Sequence, residues 1–155
     1  MVVYSKEIPQ PSERVERFMR VNYGVWELTE EEILNLWLEE IKDKEGEQET
    51  PDNWFRENHR YGYYTTDVLI GKWNYNGIVE AIIREKYSQN EMEAITNNMA
   101  AVNAIFMQTL VTEGIVGAIQ YLKDSYDKDN AEIFKQMQEW RAMAKKEAKS
   151  IFING

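Results

Sequence analysis

The sequence predicts an all-α single domain spanning residues 1–155: a compact bundle of five to seven helices around a central helix near 91–112, with a long irregular loop at 44–66. Three observations predict it. Apolar residues recur at three- and four-residue spacing along most of the chain, two Ser/Thr-x-x-Glu capping boxes mark helix starts, and no long run alternates β-branched with polar residues.

Taken in order, Met1 to Gln10 reads as an extended arm, with a short apolar patch interrupted by Lys6 and Glu7 and no signal or transit peptide pattern. Ser12 precedes Val15, Phe18, Met19 and Tyr23, which read as the face of a first helix stopped at Gly24. Thr29 and Glu32 form a capping box ahead of Ile33, Leu34, Trp37, Leu38 and Ile41, a second helix. No period holds from Lys44 to Asp67, where Gly46, Pro51 and Gly62 punctuate the loop. Val68 to Trp73 fits a strand or a helical turn and is read as helical. Asn76-Gly77 leads into Ile78, Val79, Ile82, Ile83 and Tyr87, a helix ended by Ser88, which opens the next with Glu91.

In that next helix, Met92, Ile95, Met99, Val102, Phe106 and Thr109 make a heptad-like seam. Its other faces carry Ala100, Ala101 and Ala104 instead of charges, so enclosure at the centre of the bundle is expected. Gly114 and Gly117 bracket a break before Ile119, Leu122 and Tyr126. Asp127 to Asn130 reads as a turn. The last helix uses Ile133, Phe134, Met137, Trp140, Ala144 and Ala148, and it ends with the apolar Ile151, Phe152 and Ile153.

A chain of 155 residues is about one domain. The absence of cysteine removes thiol nucleophiles, thiolate metal sites and disulfides, and fits a reducing compartment, so the cytoplasm of the producing cell is the expected location. The net charge of −9 is local: eleven acids face two bases from Glu27 to Asp52, against sixteen of each sign elsewhere. Ala94 to Thr112 is nineteen residues without a charge, long enough to raise a membrane span. Asn97, Asn98, Asn103 and Gln108 are costly in hydrocarbon and no Lys/Arg cluster flanks the run, so no membrane partner is expected.

Reactive constellations are thin. His59 is the one histidine, and its neighbours Asp52, Glu49 and Glu57 match no ligand motif, so a surface residue is expected there in place of a metal or catalytic group. Glu57 with Asp67 is the best acid–base pair, but Asp67 after Thr65 and Thr66 reads more simply as a helix cap. No cofactor, metal or catalytic residue is therefore expected. The acids Glu39, Glu40, Asp43, Glu45, Glu47, Glu49 and Asp52 read as a solvated face, as a cation site of which only Gly46 gives a hint, or as a mimic of a nucleic-acid backbone that docks on a basic partner surface. Trp54, Phe55, Arg60, Tyr61, Tyr63 and Tyr64 are the residue types of protein interface hot spots, or else a satellite core folded under the loop. Direct nucleic-acid binding is not expected, because the flanking acids repel phosphate.

The run IVEAIIREKYSQNEMEAITNN from Ile78 to Asn98, a helix, a capping box and a second helix with alternating Glu and Ile, resembles small helical structural proteins of tailed bacteriophages. The resemblance implies a ring or adaptor subunit of the head-to-tail region, carried in the virion. It supplies no motif specific to that role, and no functional residue is carried over.

The expectation is a non-enzymatic structural or adaptor subunit, self-associating or bound in a larger assembly through protein contacts. Its contact residues would be Trp54, Phe55, Arg60, Tyr61, Tyr63 and Tyr64, the acids Glu39, Glu40 and Asp43, and the apolar Ile151 and Phe152. The alternative is a small acidic inhibitor that docks on the basic, nucleic-acid-binding surface of a partner.

Overall fold

The structure, a computed structural model, describes residues 1–44, 46 and 50–154. Three residues of the expected acidic patch, Glu45, Glu47 and Glu49, lie outside the described residues. The all-α expectation is wrong: the chain is 62% helix and 18% strand, with a four-stranded antiparallel sheet and five helices. It divides into two compact units, residues Met1–Ala81 with Glu147–Gly155, and residues Ile82–Lys146.

The first unit is built on the sheet. Strands β1 (Val2–Ser5), β2 (Ser12–Val15), β3 (Phe18–Glu27) and β4 (Tyr61–Leu69) lie in the order β1-β4-β3-β2. The stretch read as a first helix is therefore a hairpin, β2 to β3, closed by the two-residue loop Glu16-Arg17. Such loops normally advertise themselves with Asn-Gly or Gly, because the first position needs a positive φ; here Glu16 takes it, at 52°. Gly24, read as a helix cap, is a bulge glycine instead: it sits at φ 60° where the β3–β4 register shifts between Tyr23 and Trp26. Both roles use the same left-handed backbone.

Antiparallel partners share a face of the sheet. Val21 pairs with Thr66 and Tyr23 with Tyr64, and of these Val21, Tyr23 and Thr66 are buried, together with Val68 opposite Met19. On the other face Asn22 pairs with Thr65 and Arg20 with Asp67. Arg20 donates to Asp67 at 2.9 Å, so Asp67 is a strand residue in an ion pair and caps no helix. Segment 6–11 runs from the β1 edge to the β2 edge, tied down where the Asn22 backbone N–H donates to the Pro11 carbonyl (3.0 Å) and its side-chain amide to the Gln10 carbonyl (2.9 Å).

Two helices supply the rest of this core. Helix α1 (Glu30–Ile41) begins at the expected capping box: the Glu32 N–H donates to Thr29 Oγ1 (3.2 Å) and the Thr29 N–H donates to Glu32 Oε2 (2.8 Å). Ile33, Trp37 and Ile41, four residues apart, are its buried stripe. The expected loop at 44–66 contains helix α2 (Asn53–Asn58), started by Asp52 accepting from the Phe55 N–H at 2.7 Å, and the first residues of β4. Phe55 is 1% exposed and meets Trp37 edge-on with ring centroids 5.0 Å apart. Each such side chain contributes roughly 1.5 to 3 kcal/mol on burial. Val68 and Leu69 finish β4, and only Ile70–Lys72 forms a single 3₁₀ turn, where a helix was expected.

Helix α3 (Tyr75–Arg84) begins in the first unit and ends in the second, which also contains α4 (Gln89–Asp124) and most of α5 (Lys128–Asn154). Helix α4 starts at the second expected capping box, with the Glu91 N–H donating to Ser88 Oγ (3.2 Å) and the Ser88 N–H to Glu91 Oε2 (2.7 Å). Trp140 Nε1 on α5 donates to the Ile82 carbonyl at 3.1 Å, and Lys86 places its ammonium 4.9 Å from the Trp140 ring centre. Beside Ile82 and Ile83, the buried residues of this unit are Val102, Ala118, Met137 and Ala144.

Two predictions follow from these contacts. A Cβ at Gly62 would stand 2.4 Å from the ring of its strand partner Trp26, so Gly62→Ala should destabilise the first unit by about 1 to 3 kcal/mol; urea unfolding followed by tryptophan fluorescence measures it, and an unchanged midpoint contradicts the close approach. The backbone N–H groups of Thr29 and Ser88 hold Glu32 and Glu91 below the ordinary carboxylate range, and Asn130 does the same for Asp127. Because the folded values are depressed, this stabilisation is complete above the unfolded-state values and is lost as the pH falls through the lowered folded ones. The protection factors of the first-turn amides of α1 and α4, taken against intrinsic exchange at each pH, should therefore fall in acid, and less steeply so in Thr29→Ala and Ser88→Ala.

Candidate interaction surface

The residues expected at an interface divide by burial. Trp54 on α2 is 64% exposed, whereas its neighbour Phe55 belongs to the core. Arg60 is exposed, its guanidinium 5.8 Å from the Tyr61 ring centre, and its backbone N–H donates to the Ser5 carbonyl. Tyr61, Tyr63 and Tyr64 are half-buried on β4, with Tyr64 against both Tyr23 (5.6 Å) and Trp26 (5.5 Å). Most of the aromatic stretch thus serves the first unit's own core. Ile151 is buried in α5, and Phe152 is half-exposed with its ring 6.2 Å from Trp73.

The acidic residues remain on the surface. Glu39 and Glu40 are exposed and pair with Lys42 (3.7 Å) and Lys44 (3.4 Å), while Asp43 is exposed beside them. Pairs this open to water contribute roughly 0 to 1 kcal/mol. They shape the field of this face more than its stability.

Among the described residues, the contacts of His59 are with Phe55 and Tyr4. Its Nδ1 lies 3.0 Å from the Phe55 carbonyl, which can only accept, so the ring N–H is placed there; the ring stacks on Phe55 at 4.0 Å. Among the described residues no group of three or more His, Asp or Glu side chains could hold a metal ion. A recess of about 530 Å³ lies between segment 6–10 and the sheet, bordered by Lys6, Glu7, Glu13 and Tyr63. It is open and rimmed by side chains with no nucleophile–base pairing among the described contacts.

The feature that sequence reasoning placed wrongly is α4. The heptad seam is its more buried stripe, with Val102 buried and Met92, Ile95, Met99, Phe106 and Thr109 half-buried. The expected enclosure of the other faces does not occur. Val111 is 81% exposed, Ile115 71% and Val116 82%, and Ile105, Met107, Ile119 and Leu122 are each about half exposed. The hydroxyls of Thr96, Thr109 and Thr112 donate to carbonyls four residues back in the same helix, so their donors are used within it. Its most apolar window has a mean hydropathy of 1.4 and is 11% buried, so by length and composition alone the helix could also cross a membrane.

Helix α4 is also two helices. Gly114 takes φ 70° and ψ −168°, a backbone state essentially restricted to glycine. Phe106 and Tyr121, fifteen residues apart, would be about 22 Å apart in one straight helix; their ring centroids are 6.4 Å apart, so the chain turns back at Gly114. No atom lies within 4 Å of a Cβ built there, so only the backbone resists substitution. Gly114→Ala should cost about 1 to 3 kcal/mol, read as a lower thermal midpoint, and a neutral or stabilising effect would mean that the turn is not held in this form.

Comparison with protein-family models, with curated proteins and with solved structures finds no match to this chain.

Proposed function

We propose that this protein is a non-enzymatic structural or adaptor subunit that works through protein–protein contacts in a larger assembly. The observation that carries this reading is the uncovered apolar surface of α4, seven large aliphatic or methionine side chains from Ile105 to Leu122 at about two-fifths exposure or more. Covering one such side chain contributes roughly 1.5 to 3 kcal/mol, and contiguous apolar surface on a small domain marks an interaction site. The ring or adaptor role at a phage head-to-tail junction, implied by the resemblance of Ile78 to Asn98, is the specific form of this reading.

The second reading is an acidic inhibitor that occupies a basic surface. It draws support from the exposed Glu39, Glu40 and Asp43 on and beside α1, and is weakened by the lysine neighbours that half-neutralise them. The two readings separate by mutation. Size-exclusion chromatography with light scattering, and co-purification from native material, should show an oligomer or stable complex that Val116→Glu disrupts and that Glu39→Lys/Glu40→Lys/Asp43→Lys leaves intact. A complex with the reverse response, lost on charge reversal and in high salt, supports the inhibitor reading instead.

A further inference from the structure

Resting on the assembly reading but on a different part of the molecule, we infer that strand β1 is a pairing edge, which joins β1 of a second copy antiparallel and centred on Val3. The observation is a backbone ladder with one side unused. The Thr65 N–H donates to the Met1 carbonyl at 2.9 Å and the Met1 amino group donates to the Thr65 carbonyl at 3.2 Å. Val3 then opposes Tyr63, and the Ser5 carbonyl accepts from the Arg60 N–H at 3.0 Å. Alternation along an antiparallel pair therefore turns the N–H and C=O groups of Val2 and Tyr4 away from β4. They meet no partner among the described residues, and β1 is the outermost strand on its side of the sheet.

The two edges of the sheet differ in how they are protected. Strand β2 is blunted: its four residues include the exposed, charged Glu13 and Arg14, Pro11 precedes it and Glu16 follows at positive φ. Strand β1 has no charge, no proline and no register shift, and Met1, Val2, Tyr4 and Ile8, in and beside it, are all exposed. An edge left in this form is a template for another strand.

The backbone decides what that occupant is. Outward donors and acceptors at alternate residues are matched by an extended chain, and by no helix or lipid. The next segment of the same chain cannot turn back to fill the place, because Gln10 and Pro11 are held at the β2 side by Asn22. Within the first unit β1 packs along β4 and no helix walls a groove beside it, so a guest peptide finds no pockets for its alternate side chains. A second copy needs none. With Val3 opposite Val3 across a two-fold axis, Val2 opposes Tyr4 of the other copy, and all four outward groups of each strand are used. The same register sets a β-branched residue against an aromatic one, a favourable cross-strand pair, and no charge lies within Val2–Ser5.

In the unmodified protein, the Val2 and Tyr4 amides should exchange slowly at concentrations where sedimentation shows a dimer, and as unprotected amides once dilution gives the monomer. The chain has no cysteine, so introduced thiols report singly. Partners that are not hydrogen-bonded lie about 4.5 Å apart between Cα atoms, within disulfide reach, so Val3→Cys should give a disulfide-linked dimer under mild oxidation. Val2→Cys, whose counterpart stands two residues along, and Lys42→Cys, exposed in the first unit, should not. Val2→Lys/Tyr4→Lys sets lysine against lysine and should weaken self-association by about tenfold or more. Should that variant misfold, the amide exchange and the Val3→Cys cross-link decide. A protein that stays monomeric at its highest soluble concentration, or a dimer in which the Tyr4 amide exchanges freely and Val3→Cys stays unlinked, overturns the pairing. If a complex persists that Val116→Glu releases and Val2→Lys/Tyr4→Lys does not, the assembly reading stands and the strand pairing is wrong. Protection of the Tyr4 amide only in complex with a different protein would give the edge to a foreign strand and overturn the second copy. A monomer that also holds no partner on co-purification overturns the assembly reading with it.

Discussion

The pairing of β3 with β4 is the constraint on which the first unit depends. It joins residues 18–27 to residues 61–69 across more than thirty intervening residues, so its loop-closure entropy must be met before any contact of the sheet is gained. What meets it is visible in the register. Trp26 lies over Gly62, Tyr64 packs between Tyr23 and Trp26, and Val21 and Val68 are fully or nearly fully buried. The α1–α2 insertion lies between these strands in sequence, and its Trp37 and Phe55 form a core with Leu28 at the end of β3. The long connection is thus itself a source of burial. Without the β3–β4 register the sheet falls into two separate strand pairs, because β1 pairs with β4 and β2 with β3.

Sequence reading succeeded where structure is local and failed where it is not. Both capping boxes, the α1 stripe, the α4 seam, the break at Gly114 and the final helix depend on residues within one or two turns of each other. The sheet depends on partners far away in sequence, and its local flags were disguised. Phe18, Met19 and Tyr23 satisfy a helical spacing by accident, the hairpin loop uses Glu16 where a glycine would have signalled it, and Gly24 admits either a helix end or a bulge. The aromatic cluster after Pro51 was legible as aromatic, with a protein interface and a satellite core as its two readings. Its burial comes from Trp37, Tyr23 and Trp26, which no local pattern links to it. On α4 the uncharged run was recognised and then assigned to the inside, because a helix without charges is usually enclosed; a chain this short has too little other mass to enclose it.

Charge and apolarity are segregated along the chain, and that division has a physical consequence. The acids from Glu27 to Asp52 repel other acidic molecules, copies of the chain included, from the stretch that carries them. Long-range repulsion of this kind falls off over roughly 8 to 10 Å in physiological salt. It therefore steers orientation at encounter without opposing a contact formed on a neutral surface. On the proposed assembly reading, a neutral contact surface on a chain with one acidic stretch discriminates against docking on that stretch more than it adds affinity.

The turn at Gly114 argues that the exposed apolar surface is a built feature and not an accident of a loosely covered helix. Two glycines are needed there for two different reasons. Gly114 must adopt a backbone state closed to other residues, while Gly117 must leave room, because a Cβ at that position would stand 2.3 Å from the Glu113 Cβ. Each glycine in a helix costs about 0.5 to 1 kcal/mol relative to alanine. A continuous helix would spare both. The reversal instead brings Val111, Ile115 and Val116, the most exposed large side chains of α4, into one short segment around the bend. On the assembly reading proposed above, the cost of this corner is offset when a partner covers its exposed valine and isoleucine side chains.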